Sequence, residues 1–124
     1  MNSGRDNPIF NKSGLFVIKG FENRNFELSR ETWEGHIIKD EGRKYFREHF
    51  NKIVETLQQP DYILQSPQEK NVALYVKKFN NLYILNTVTA IAYIYVVVNL
   101  NNNKIRTVYN NPGLKKLEQI WPKS

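Results

Sequence analysis

No cysteine occurs in these 124 residues, which excludes a disulfide framework and any thiolate metal site. Histidine is nearly as scarce. His36 and His49 stand thirteen residues apart, which cannot make the i, i+4 ligand pair of a helical metal site, and Asp40 with Glu41 alone forms no carboxylate cage. No metal or other cofactor is expected. The GxxxxGK[ST], GxGxxG, HExxH and GxSxG patterns are missing, so nucleotide hydrolysis, dinucleotide binding, zinc hydrolysis and serine hydrolysis lack motif support. The opening MNSGRDNPIF has no apolar run of the kind a signal peptide needs, and cytoplasmic residence is the default.

Acidic residues run short in one half of the chain. Residues 1–60 carry ten Lys/Arg against nine Asp/Glu, whereas 61–124 carry eight against three, so the second half supplies +5 of the net +6. A basic surface attracts polyanions, nucleic acid or anionic lipid, through steering and counterion release. Charge of either sign is absent from LYILNTVTAIAYIYVVVNL, residues 82–100. The run is long enough for a transmembrane helix, but its Val, Ile, Tyr and Thr content, its internal Asn86 and Asn99 and its Asn-rich flanks suit buried strands. No membrane partner is expected.

Hydrophobic residues make up 40% and aromatics 13% of the chain, enough to fill one core. Residues 1–12 are expected to be a flexible start and 13–124 a single domain. SGLFVIKGF (13–21) reads as a strand and NRNFELS as a short edge strand or loop. Ser29 or Thr32 could cap a short first helix ending near Gly42, with Glu31 and Glu34 in its first turn. Phe46, Phe50, Ile53 and Leu57 recur at i, i+4, i+7 and i+11 and define the apolar stripe of a second helix, flanked by His49 and stopped by Pro60. The period then changes. VALYVKKF (72–79), a turn at Asn80-Asn81, LYILNTV, YIYVVVNL (93–100), the NNN turn and KIRTVYN (104–110) read as strands joined by tight antiparallel turns, with a break near Asn86 to Thr89. GLKKLEQIW would be a short helix or tail whose Leu114, Leu117 and Trp121 pack back. Helices followed by an antiparallel sheet define an α+β class.

One metal-free reaction needs only histidine, basic residues and hydroxyls: cleavage of RNA through its own 2′-hydroxyl. The RNA supplies the nucleophile, and the protein aligns the phosphate, moves two protons and stabilises the added negative charge. Histidine titrates near neutrality, which suits it to such proton transfer. On the strands, Tyr75 and Lys77 share one face and Val76 and Lys78 the other, and the first pair is taken to face the ligand. Thr107 and Tyr109 likewise share a face, as do Arg106 and Val108. Aromatics so placed could stack the bases of single-stranded RNA.

TWEGHI, then an amphipathic helix, LQQPDYILQS, the Tyr-bearing basic strand VALYVKKF, YIYVVV and KIRTVY, occur in an order that resembles the phage-associated members of the barnase, EndoU, colicin and RelE-like (BECR-fold) nuclease group. The resemblance covers about residues 29–110. It implies an N-terminal strand and helices packed on an antiparallel sheet of about four strands, and metal-independent endoribonuclease activity of a toxin-like or phage-accessory kind. It makes His36 the counterpart of the helix-borne catalytic histidine, with Lys77 and Thr107 beside it in catalysis. Tyr75, Arg106, Tyr109, Lys39 and Arg43 are implied to bind substrate. The implied partners are RNA, single-stranded or transfer RNA, and a small acidic immunity or antitoxin protein. Relatives often follow the His-Ile pair with a basic residue, a second histidine and Pro-Glu, where this chain has Lys39, Asp40, Glu41 and Gly42. That departure supports the alternative: a non-catalytic RNA-binding or phage structural protein on a degenerate nuclease fold.

Overall fold

A computed structural model of the chain describes residues 8–39, 46, 47, 49–84 and 87–123. Strands β1 (Leu15–Lys19) and β2 (Asn25–Ser29) form an antiparallel hairpin in which Leu15 opposes Ser29 and Lys19 opposes Asn25. Their connection is a tight turn over Phe21–Asn23, with Glu22 and Asn23 at φ 58° and 61°. Gly20 precedes it at a point of close approach. A Cβ there would lie 2.6 Å from both the Leu57 carbonyl oxygen and the Phe26 ring.

Of the two candidate caps, Ser29 and Thr32, it is Ser29 that begins the first helix. Its hydroxyl accepts the Thr32 backbone N–H at 3.0 Å, the usual way an N-cap satisfies an orphan donor. The helix is shorter than expected: α1 (Arg30–Thr32) widens at once into a π turn over Trp33–Ile37, closed by the Ile38 N–H on the Trp33 carbonyl at 2.9 Å. Trp33 and Ile37 are buried in the core and fix this turn.

Helix α2 (Phe50–Gln58) carries Phe50, Ile53 and Leu57 of the stripe read from the sequence, all buried; Phe46 is buried too but lies before the helix, in a separate turn where its carbonyl accepts the His49 N–H at 3.1 Å. Thr56, also buried, donates its hydroxyl to the Lys52 carbonyl at 2.7 Å. His49 stands at the N-cap, half-buried, and Pro60 follows the end of the helix.

The sheet is mostly antiparallel and larger than the four strands expected. It has seven: β3 (Tyr62–Gln65), β4 (Val72–Ile84), β5 (Thr87–Asn99), β6 (Lys104–Asn111) and β7 (Gln119–Trp121) join β1 and β2 in the order β1-β2-β6-β5-β4-β3-β7. The N-terminal hairpin docks through one parallel bridge, Glu27 to Lys104, with the Glu27 N–H on the Asn103 carbonyl at 2.8 Å. At the far edge the segment expected as a short helix or tail is extended and ends in β7, which pairs Ile63 with Trp121 and Leu64 with Gln119, and its Leu114, Leu117 and Trp121 do pack back on the body of the protein. Asn80-Asn81 is not a turn. β4 runs through it, Asn80 opposing Ile91 and Leu82 opposing Thr89, so the connection to β5 falls between Ile84 and Thr87.

Each face of the sheet is covered. Ala73, Tyr75, Phe79, Ile94, Val96, Val98, Ile105 and Val108 meet α2 and the N-terminal elements in the main core. On the other face Leu64, Leu74, Val76 and Tyr95 form a smaller cluster under Leu114 and Leu117. The expectation of a flexible 1–12 falls largely outside the described residues, although Phe10 packs on the main core beneath the Arg30 guanidinium.

The Gly20 contact is a direct test of this packing. Gly20→Ala forces the hairpin away from the C-terminal end of α2, and the denaturant midpoint should fall by the equivalent of ~1–3 kcal/mol, the usual range for overpacking. Gly35→Ala, with nothing within 4 Å of its Cβ, should leave that midpoint nearly unchanged.

Candidate functional site

Val97 opposes Thr107 while Val98 opposes Ile105. Arg106 is therefore an extra residue in β6, and the bulge has a local cause in side-chain size and polarity. Ile105 and Val108 are three apart and a regular strand would send them to opposite faces, yet both are buried in the main core. The bulge absorbs the odd residue and lets Arg106 leave the sheet. The expectation that Arg106 shares a face with Val108 is thus overturned, while Thr107 and Tyr109 do share one, opposite Val97 and Tyr95.

A cleft of about 620 Å³ opens at this bulge. One wall is α1 and the π turn that follows it, from which Thr32 and His36 respectively reach the lining. The floor is β5 and β6, contributing Val97, Asn99, Lys104, Arg106 and Thr107, and the other wall is the loop before β4, with Ser66 and Glu69. His36 is exposed while its neighbours Trp33 and Ile37 are buried, so the turn is anchored on one side and offers the imidazole on the other. Across the floor, Arg106 donates to Glu69 Oε2 at 2.6 Å. Lys104 brings a second cation to the lining, and its backbone N–H is held by the Asn102 side chain at 3.0 Å.

The cleft thus brings together three residues singled out from the sequence: His36, Arg106 and Thr107. The others lie elsewhere. Tyr75 is only 4% exposed and meets Phe26 edge to face at 5.1 Å. It is a core residue, because the face it shares with Ala73 is the one the helices cover. Burial pushes its phenol above the ordinary value, opposed by the adjacent Arg24 guanidinium. Lys77 is drawn to the end of α2, where Nζ donates to the Gln59 carbonyl at 2.9 Å with Asp61 4.0 Å away, a favourable place for a cation at a helix C-terminus. Tyr109 stacks on Tyr95 at 5.0 Å with the rings 4° from parallel, and the Lys115 ammonium sits 4.7 Å above it. These are packing roles, and they correct the expectation that Tyr75, Lys77 and Tyr109 form one ligand surface with His36. Lys39 is exposed beyond the π turn and does not line the cleft, and Arg43 lies outside the described residues.

Lys104, Glu69 and Thr32 were missed in the sequence. Glu69 did carry a signal, being one of only three acids after residue 60. Among the described residues no three His, Asp or Glu side chains gather as a metal site would require, and no helix is long and apolar enough to cross a membrane. No family model, curated protein or solved structure matches the chain.

The opposite end of the same face is sealed by Tyr95. Its hydroxyl donates to the Gly113 carbonyl and accepts the Lys115 N–H, both at 2.8 Å. Burial raises this phenol too, against the lowering effect of the Lys115 N–H. Both raised phenols favour the protonated form in the fold, so their contribution is complete below the unfolded tyrosine value of about 10 and is lost as pH rises past it. Unfolding midpoints should therefore fall above pH ~10, and Tyr95→Phe should flatten that fall while costing ~1 kcal/mol at neutral pH through its lost hydrogen bonds. An alkaline fall as steep in Tyr95→Phe as in the wild type would refute this role.

Proposed function

We propose that the chain is a metal-independent endoribonuclease that cleaves RNA by transesterification at the cleft on the β5–β6 bulge. The observation that carries the reading is the meeting of one exposed imidazole, two cations and a carboxylate around a single opening: His36, Lys104, Arg106 and Glu69. The chemistry needs one proton acceptor, one donor and a positively charged cradle. Glu69 takes the proton of the 2′-hydroxyl as its oxygen attacks the adjacent phosphorus. His36, on the opposite wall, gives a proton to the departing 5′-oxygen as the P–O5′ bond breaks, leaving a 2′,3′-cyclic phosphate and a 5′-hydroxyl. Arg106 and Lys104 stabilise the charge that builds on the phosphoryl oxygens, and Thr107 orients the phosphate. The carboxylate takes the place of the absent second histidine. Arg106 is then shared, passing from Glu69, its partner in this structure, to the phosphate when RNA binds.

A second reading, RNA binding without cleavage, is favoured by the same Arg106–Glu69 pair, which offsets one of the two cations on the floor. One experiment separates the two. Purified protein is incubated with a single-stranded oligoribonucleotide in EDTA and the product ends are identified. Cyclic-phosphate ends are expected, with no cleavage of a 2′-deoxy copy. His36→Ala and Glu69→Gln should each lose ~10²–10⁴ of the rate, the span of one general acid or base, while their far-ultraviolet circular dichroism stays unchanged. Intact RNA, with an affinity that falls at about −0.7 per phosphate contacted on a log–log salt plot, would select the binding reading.

A further inference from the structure

The two longest strands run past their neighbours. β3 pairs with β4 only as far as Tyr62 against Val76, and β6 pairs with β5 only as far as Asn111 against Tyr93. From Phe79 opposite Ala92 to Ile84 opposite Thr87, β4 and β5 continue as a two-stranded arm. Among the described residues neither outer edge of this arm is paired. Its length is ~20 Å, six residues at about 3.3 Å each.

The two edges differ in composition. At the base of the β4 edge stand Lys77 and Lys78, and the Lys78 N–H is already taken by Asp61 Oδ2 at 2.8 Å. Lysines and occupied donors are common devices for blocking strand addition. Both of these lie below the arm, however, and along the arm itself the β4 edge, residues 79–84, is as uncharged as the β5 edge but carries Asn80 and Asn81, which are poor strand formers. On the β5 edge residues 87–92 read TVTAIA, within a stretch from Phe79 to Asn103 that holds no Asp, Glu, Lys or Arg. Its β-branched residues have high strand propensity, and unpaired N–H and C=O groups along such an edge are a template for another strand.

The occupant follows from charge and symmetry. Each copy of the chain carries +6, so two copies repel wherever their basic surfaces meet, and this neutral stretch is where they can approach at least cost. An antiparallel pair of identical edge strands is also self-complementary about a two-fold axis. Because the pairing is isologous, it uses up the β5 edge of both copies and closes at two. We propose that the chain forms a two-fold dimer by antiparallel pairing of the Thr87–Ala92 edges of two copies.

Sedimentation equilibrium of the full chain across the micromolar range tests this, expecting mass to rise from one chain to two and no further. Thr89→Lys and Ile91→Lys place charges at the shared edge and should hold the protein monomeric, with circular dichroism confirming the fold. Because the chain lacks cysteine, single replacements report geometry cleanly. Cysteine at one or more of Val88, Thr89, Ala90 and Ile91 should form an intermolecular disulfide under mild oxidation, and Lys70→Cys, in the loop before β4, should not. A wild type that stays monomeric throughout, lysine variants that still dimerise, mass beyond two chains, or association only on phosphatidylcholine–phosphatidylglycerol vesicles would each overturn the proposal.

Discussion

One extra residue in β6 decides how the sheet, the core and the cleft fit together. Ile105 and Val108 both belong to the main core, and three-residue spacing is incompatible with a regular strand that buries one face. The register shift at Val97 and Val98 resolves the conflict by leaving Arg106 without a cross-strand partner. Had the strand stayed regular, one of those two aliphatic side chains would have turned out of the core, at ~1.5–3 kcal/mol for a full loss of burial. Core packing therefore enforces the bulge, and the bulge frees a guanidinium to cross toward Glu69. The electrostatics of the cleft are a consequence of where two hydrophobic residues need to be.

The opposite wall is built by the same logic. Trp33 and Ile37 are one turn apart and both are buried, so they pin the segment whether it is wound as an α-helix or as the wider π turn actually seen. A π turn of this kind is rare and is often found at functional positions. Here it sets His36 on the open side, in the cleft that Lys104 and Arg106 also line. Ser29 starts the turn by capping, and the preceding strand β2 is tied to β6 through Glu27 and Asn103. His36 is thereby referenced to the same strand that carries the cations.

Much of this was legible in the chain, and the failures have physical causes. The Phe50-to-Leu57 stripe, the Ser29 cap and the strand beginning KIRTVY depend on local periodicity and capping, which a sequence displays directly, whereas Phe46 fits the same spacing yet lies before the helix. Asn80-Asn81 looked like a turn because asparagine favours turns locally, but twelve cross-strand pairs between β4 and β5 outweigh that preference. β7 was unreadable because Gln119–Trp121 owes its extended form to pairing with β3 rather than to its own residues. Tyr75 and Lys77 posed a two-way choice between faces. Alternation shows that the faces differ, without showing which one the helices cover. Arg106 illustrates the limit most clearly: strand periodicity put it on the Val108 face, and only the three-dimensional register reveals the slip.

The distribution of charge over the finished fold separates two kinds of surface. Lys104 and Arg106 gather at the end of the sheet where β5 turns into β6, with Glu69 partly offsetting them. The other end of β5 is uncharged and runs beyond β6, paired with β4 alone. Thirteen residues of one strand span both, and at ~3.3 Å per residue they hold the two ends ~40 Å apart. At physiological salt the Debye length is only ~8 Å, so the cations of the cleft impose almost no repulsion on the arm. A polyanion can be drawn to one end of this strand while the other end stays electrically neutral, because the sheet that joins them is longer than the reach of its own charges.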